Sequence, residues 1–193
     1  NRVFGEVGVR YSTQRPKADQ SPYESIEATM ASCTGLSVLL IDACRAVGVP
    51  ARFVGTPRWS DDSGNHSWVE IWDDGWHFTG AAEPTGMELD RAWFTGRAST
   101  AKPDSERYGI FAVSYKRTPQ RFPMVWRPDA DWVHGINVTA RYIRSVEPLP
   151  EGHGRLRIGA ADRNTGERVA ARATLIVDGE ARDLGVTRDE RYD

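Results

Sequence analysis

The chain has 193 residues, which suits one domain of ordinary size, or one with a small appendage. Apolar residues make up 39% and charged residues 27%, enough core material to exclude a disordered chain. A net charge of -2 argues against a general nucleic-acid or membrane-surface binder, and no apolar run approaches the roughly 20 residues of a membrane span.

In chain order, residues 1–24 are polar and turn-rich and predict an extended lead-in. Residues 23–31 predict a short helix. Residues 33–47 give the clearest one: Leu36, Leu39, Leu40, Ala43 and Val47 recur at offsets of three and four, Ser32 or Thr34 caps the start, and Gly48 and Pro50 end it. Val49–Val54 reads as a strand and residues 55–65 as a loop. His66–Trp72 is a strand rich in β-branched and aromatic residues, Asp73-Asp74-Gly75 a hairpin turn, and Trp76–Thr79 the returning strand. Tyr108–Tyr115 predicts a further strand, and the proline-bearing stretch Arg121–Asp131 predicts irregular structure. Residues 136–146, 155–161 and 173–177 predict strands, with a turn at Asp178-Gly179. The expected architecture is α+β: a core over 1–135, and a β-rich, sandwich-like C-terminal module over 136–193. The sequence opens at Asn1 without methionine, so the core is expected to be truncated at its N-terminus, and the module is expected to be truncated as well.

Cys33 and Cys44 are eleven residues apart. On one helix that spacing is about 16 Å, beyond the roughly 7 Å a disulfide spans, so no bridge is expected. Cys33 opens the helix, where unpaired N–H groups and the helix dipole favour an anion. A thiol there ionises more readily, and the same N–H groups can hold an oxyanion. The plain alternative is a buried structural thiol. His66 opens a strand after a loop rich in Gly and Asp, placed to exchange a proton with a nucleophile on a neighbouring helix. A surface histidine at a loop edge fits that position equally well. A third group should orient the imidazole. Glu83 is the candidate once the hairpin folds the chain back, whereas Asp73 and Asp74 fit turn formation and His77 a structural place in its strand.

Ala31-Ser-Cys-Thr-Gly-Leu through Gly48-Val-Pro-Ala-Arg-Phe-Val54 resembles the cysteine block of transglutaminase-like proteins, in which a Cys opens a helix that ends in Gly-(Ile/Val)-Pro-Ala-Arg before a strand. Asn65-His-Ser-Trp-Val-Glu-Ile-Trp72 resembles the family's His-(Ala/Ser)-Trp-Val-Glu block. Trp76–Thr85 resembles its third block, Trp followed by Asp-Pro-Thr. The resemblance covers residues 23–85, weakens over 86–135 and does not reach the C-terminal strands. It departs at Gly80, where the family has Asp. Glu83-Pro84-Thr85 stands three residues later, so either Glu83 orients the histidine or the loop is rearranged.

The resemblance implies a papain-like fold and acyl transfer at an amide of a protein or peptide, with Cys33 as nucleophile, His66 as base, Glu83 as orienter and no cofactor. It tilts toward a peptidase or amidase of bacterial type, with crosslinking also open. Papain-like enzymes often add a side-chain oxyanion donor upstream of the Cys. Gln20 and Gln14 are candidates, beside the backbone N–H of Cys33. Trp59, Trp68 and Trp76 are candidates for the cleft walls. A non-catalytic binding module with a vestigial site is the rival reading. A third is an adhesion or carbohydrate-binding role for the C-terminal strands, where Tyr142 is the main aromatic residue. No His or Cys pair has metal-ligand spacing, and Asp61, Asp62, Asp73 and Asp74 lack the alternation of a calcium loop. Asn137-Val-Thr139 fits a glycosylation sequon. The appended β-module sets an expectation of an exported, periplasmic or cell-surface protein.

Overall fold

The structure, a computed structural model, describes residues 2–81, 88–144, 160, 162–163 and 169–187. It divides into two compact units, 1–147 and 148–193. In the first, the lead-in is more ordered than its polar composition predicts. Val3–Glu6 forms one helical turn (α1) and Arg10–Tyr11 a short strand (β1). The reason is apolar: Phe4 and Val9, each 5% exposed, are buried in the same cluster as Leu36, Leu39 and Leu40.

Pro22–Ala28 forms α2. Pro22 occupies its first turn, where a missing N–H costs nothing. Ser21 and Glu24 cap it reciprocally: Glu24 N–H donates to Ser21 Oγ at 3.3 Å, and Ser21 N–H donates to Glu24 Oε2 at 2.7 Å. The ion pair with Lys17, together with Ser21, draws the exposed Glu24 carboxyl down to about 2. Ser21→Ala is expected to cost about 1 kcal/mol, read from the midpoint of urea denaturation. The predicted helix over 23–31 stops early because Thr29 turns into the left-handed region at φ 55°. Met30–Ala31 then forms β2, which pairs parallel with β1.

Cys33–Ala46 forms α3, the central helix. Its buried residues include Leu36, Leu39, Leu40 and Ile41, while Val47, the last member of the predicted stripe, lies at the C-cap and is 77% exposed. Gly48, at φ +81°, ends the helix in a conformation that disfavours a side chain. Gly35 is required for a different reason: a Cβ there would stand 2.9 Å from Ala31 Cβ and 3.4 Å from both Gln20 Cβ and Ser25 Oγ. Its bare backbone lets α3 approach the preceding segment closely.

Ala51–Thr56 (β3), His66–Trp72 (β4) and Trp76–Thr79 (β5) follow as antiparallel neighbours. The hairpin turn uses Asp74 at φ 52°, a conformation Asp tolerates better than most residues. Thr95–Ala98 is a helical turn (α4), and Phe111–Val113 (β6) and Gly135–Asn137 (β7) complete a five-stranded sheet ordered β5-β4-β3-β6-β7. β6 is shorter than the predicted Tyr108–Tyr115, since its pairing with β3 is confined to Val54–Gly55. Residues 122–133 hold neither helix nor strand, as their prolines predict.

The predicted strand over 136–146 is corrected. β7 ends at Asn137, and Thr139–Arg144 is a helix (α5). The Asn137 side chain accepts from both Thr139 N–H and Thr139 Oγ1, a local arrangement that draws the chain out of the strand. Tyr142 is 3% exposed in the core cluster of Val54, Trp68 and Phe94. It is therefore not the exposed aromatic of a binding face, and residues 136–147 belong to the first compact unit rather than opening the C-terminal module.

Strand alternation divides the sheet between two cores. Val69 and Ala51 join the α3 cluster, whereas Trp68, Phe78 and Val54 join a second cluster with Phe94, Ile110 and Tyr142. In the second unit, the described residues show one antiparallel hairpin, Arg172–Val177 (β8) and Glu180–Val186 (β9), turning at Asp178 and Gly179. The strand predicted over 155–161 falls outside the described residues except at 160. No helix among the described residues is long and apolar enough to cross a membrane.

Candidate active site

Two segments far apart in sequence meet at the start of α3. Thr34 Oγ1 lies 3.2 Å from Ser67 Oγ, a buried hydroxyl pair that joins the first turn of α3 to the first residues of β4. Cys33 and His66 each precede a member of that pair, so one contact brings both to the same place. Gly55 makes room on the next strand. It pairs with Ser67, and a Cβ there would lie 2.9 Å from the His66 carbonyl oxygen.

Cys33 is half-buried as a residue, and its thiol sits in largely buried surroundings. Burial pushes its thiol up. A hydrogen bond with the His66 imidazole, the imidazole's charge, the Ser67 backbone N–H and the Thr34 hydroxyl outweigh that effect, and the thiol ends below its ordinary 9.0. Cys44, on the same helix, shows the opposite balance: burial raises it. The two free thiols of one chain thus differ in sign, and the difference is the polar surroundings of Cys33. Ser32, at the N-cap, spends its hydroxyl on the Ala18 carbonyl at 3.2 Å and does not cap α3, so the predicted side-chain cap is absent.

His66 is 4% exposed and held by rings. Its centroid lies 4.9 Å from Trp93, 5.0 Å from Phe94, 5.7 Å from Trp68 and 5.9 Å from Trp59. Packing on several sides leaves the imidazole few rotamers. Trp59 and Trp68, parallel within 4° at 6.1 Å and only 3% and 0% exposed, pack against the histidine from within the core. Trp76 does not. It pairs with Trp72 at the opposite end of the hairpin, about 20 Å along β4 from His66, and Arg52 lies over its ring at 4.0 Å. Trp93 and Phe94 were missed because residues 88–110 carry no periodicity that would single them out.

Behind Trp68 lies a buried polar chain. Trp68 Nε1–H donates to Tyr142 Oη at 2.8 Å, and that hydroxyl donates to Glu70 Oε1 at 2.8 Å. Arg52 Nε donates to Glu70 Oε2 at 2.7 Å, and Arg141 Nη1 lies 3.2 Å from Glu70 Oε1. Burial, then the Glu70 charge, drive the Tyr142 hydroxyl well above its ordinary value, so it stays a neutral donor. Glu70 and Arg52 come from the Trp-Val-Glu and Pro-Ala-Arg runs, whose charged members thus pair beneath the sheet.

Gln20 is 1% exposed, and its amide nitrogen donates to the carbonyls of Met30 at 3.0 Å and Glu24 at 3.3 Å. Both amide protons are used to clasp α2 to β2, so Gln20 does not serve as an oxyanion donor. Gln14 lies on an exposed turn. His77 pairs with Asp90 at 2.6 Å, away from the His66 end of the hairpin. Glu83 lies outside the described residues.

Residues 1–80 match the family model of the transglutaminase-like superfamily, whose members are typically cysteine hydrolases or acyltransferases. The matched stretch runs from α1 through β5 and includes Cys33 and His66. No curated protein and no solved structure matches the chain.

Proposed function

We propose that the chain is a cysteine-dependent acyl-transfer enzyme acting on amide bonds of peptides or proteins, with hydrolysis as its main outcome. The observation that carries this reading is the juxtaposition of a thiol at the start of α3 with a ring-held imidazole that hydrogen-bonds to it, supplied by residues 33 positions apart and brought together by the Thr34–Ser67 contact. Cys33 Sγ attacks the amide carbonyl carbon, and His66 holds the thiol proton. Backbone N–H groups at the start of α3, that of Cys33 first, hold the oxyanion. As the C–N bond breaks, His66 delivers the proton to the leaving amine and a thioester remains. Water, deprotonated by His66, then releases an acid and regenerates the thiol; an amine at that step gives a new amide instead. Glu83 is proposed to orient His66, on its place in the Glu-Pro-Thr run.

The test is the thioester. Incubation with end-blocked peptides, acid quenching and mass spectrometry are expected to show an acyl adduct on Cys33, absent in Cys33→Ala and absent from Cys44. If neither adduct nor turnover appears with any peptide, and Cys33 is alkylated no faster than Cys44, the non-catalytic binding reading takes its place.

A further inference from the structure

A groove of about 380 Å³ opens beside the candidate site. One wall is a stripe of α3, running from Thr34 through Val38 and Ile41 to Asp42; the other is the irregular segment 122–133. Phe53 of β3 forms part of the lining, packed edge-on against Phe122 at 5.5 Å and Trp126 at 6.1 Å. The end nearest the thiol is marked by Thr34, the residue after Cys33, and by Phe122, whose ring tip lies 3.5 Å from the Cβ position of Gly55, beside Ser67. Thr34 is thus the groove's link to the place where an amide would react: it lines the groove and adjoins Cys33 in the chain. Its size and mostly apolar lining are those of a side-chain pocket.

We infer that this groove is a specificity subsite for a peptide substrate bearing a bulky apolar side chain, Phe or Leu in kind, about two to four residues from the reacting amide. The inference rests on the acyl-transfer reading for its register. From Thr34 to Ile41 α3 advances about 10 Å, which an extended peptide covers in about three residues. The rim favours a peptide over a purely apolar ligand. Asp19 and Asp42 offer acceptors to main-chain N–H groups, and Arg127 offers donors to main-chain carbonyls. Arg45, although it also borders the groove, is turned to the Ala51 carbonyl and the Tyr115 hydroxyl.

The test uses Cys33→Ala, which binds without reacting, and end-blocked hexapeptides that differ only by Phe, Leu or Ala at one position. Calorimetry is expected to show the Phe and Leu peptides binding at least tenfold tighter than the Ala peptide. Val38→Phe, which fills the groove from α3, is expected to erase that difference, with an unchanged circular-dichroism spectrum and urea midpoint showing that the fold is kept. Trp132→Ala, at a position 61% exposed and so of little consequence for folding, is expected to weaken the Phe peptide several-fold. Equal affinities for the Phe and Ala peptides, or a preference that survives both variants, overturn the subsite. A tenfold preference without turnover in the native chain supports the groove and defeats the acyl-transfer reading instead.

Discussion

On the proposed acyl-transfer reading, His66→Ala is expected to lower amide turnover by about 10²- to 10⁴-fold, the range that a positioned general base supplies. It also slows alkylation of Cys33 at neutral pH and moves the alkylation profile to higher pH. The direction follows from what surrounds the sulfur. Burial raises the thiol pKa, and the hydrogen bond and charge of His66 are the largest opposing influences. Removing the imidazole leaves burial opposed by the weaker influences of the Ser67 N–H and the Thr34 hydroxyl. The thiolate is the reacting species, so a lowered pKa extends reactivity toward lower pH and a raised one withdraws it. Cys44 serves as the internal reference: burial raises it, His66 is not among its influences, and its profile stays where it was. Iodoacetamide labelling of both sites from about pH 5 to 10, resolved by mass spectrometry, reads the two together. A Cys33 profile that does not move in His66→Ala shows that imidazole and thiol are uncoupled.

Glu70→Ala destabilises the fold by about 3–5 kcal/mol. Glu70 is 1% exposed and Arg52 5%, so the substitution strands a guanidinium where water cannot replace its partner. The Tyr142 hydroxyl loses its acceptor in the same step. At a slope of about 2 kcal/mol/M the urea midpoint falls by about 2 M. The double change Arg52→Met with Glu70→Leu is far milder, because it removes both charges rather than one. A loss below about 1 kcal/mol in Glu70→Ala defeats the account. The damage also extends to the site: Tyr142 anchors Trp68, and Trp68 packs on His66. Slower Cys33 labelling in residual folded Glu70→Ala protein is the expected sign.

The parts of the fold that were legible in the sequence are those in which one residue pattern decides one element. α3 was legible because an apolar stripe, an N-terminal polar run and Gly48 agree on the same boundaries. The β4–β5 hairpin was legible because Asp73-Asp74-Gly75 interrupts two aromatic strands. Register was less so. Nothing local in Trp76 says which end of β4 it meets, and the observed pairing with Trp72 removes it from His66. The stretch 136–146 was misread because Ile136, Val138 and Tyr142 fit alternation as well as a helix face, and the deciding influence is the Asn137–Thr139 interaction. Trp93 and Phe94 reach His66 through tertiary packing alone, which one sequence does not display. Gln20 carried the right residue type, but its amide protons go to backbone carbonyls that only the folded chain brings near.

The Thr34–Ser67 pair joins residues 33 positions apart in the chain. Until that long-range contact forms, Cys33 is a thiol of ordinary reactivity on an incipient helix, with no imidazole beside it. A nascent or unfolding chain therefore carries no activated sulfur to oxidise or to acylate at random. Its chemical hazard appears and disappears together with its tertiary structure, which makes alkylation of Cys33 a marker of whether an individual molecule is folded.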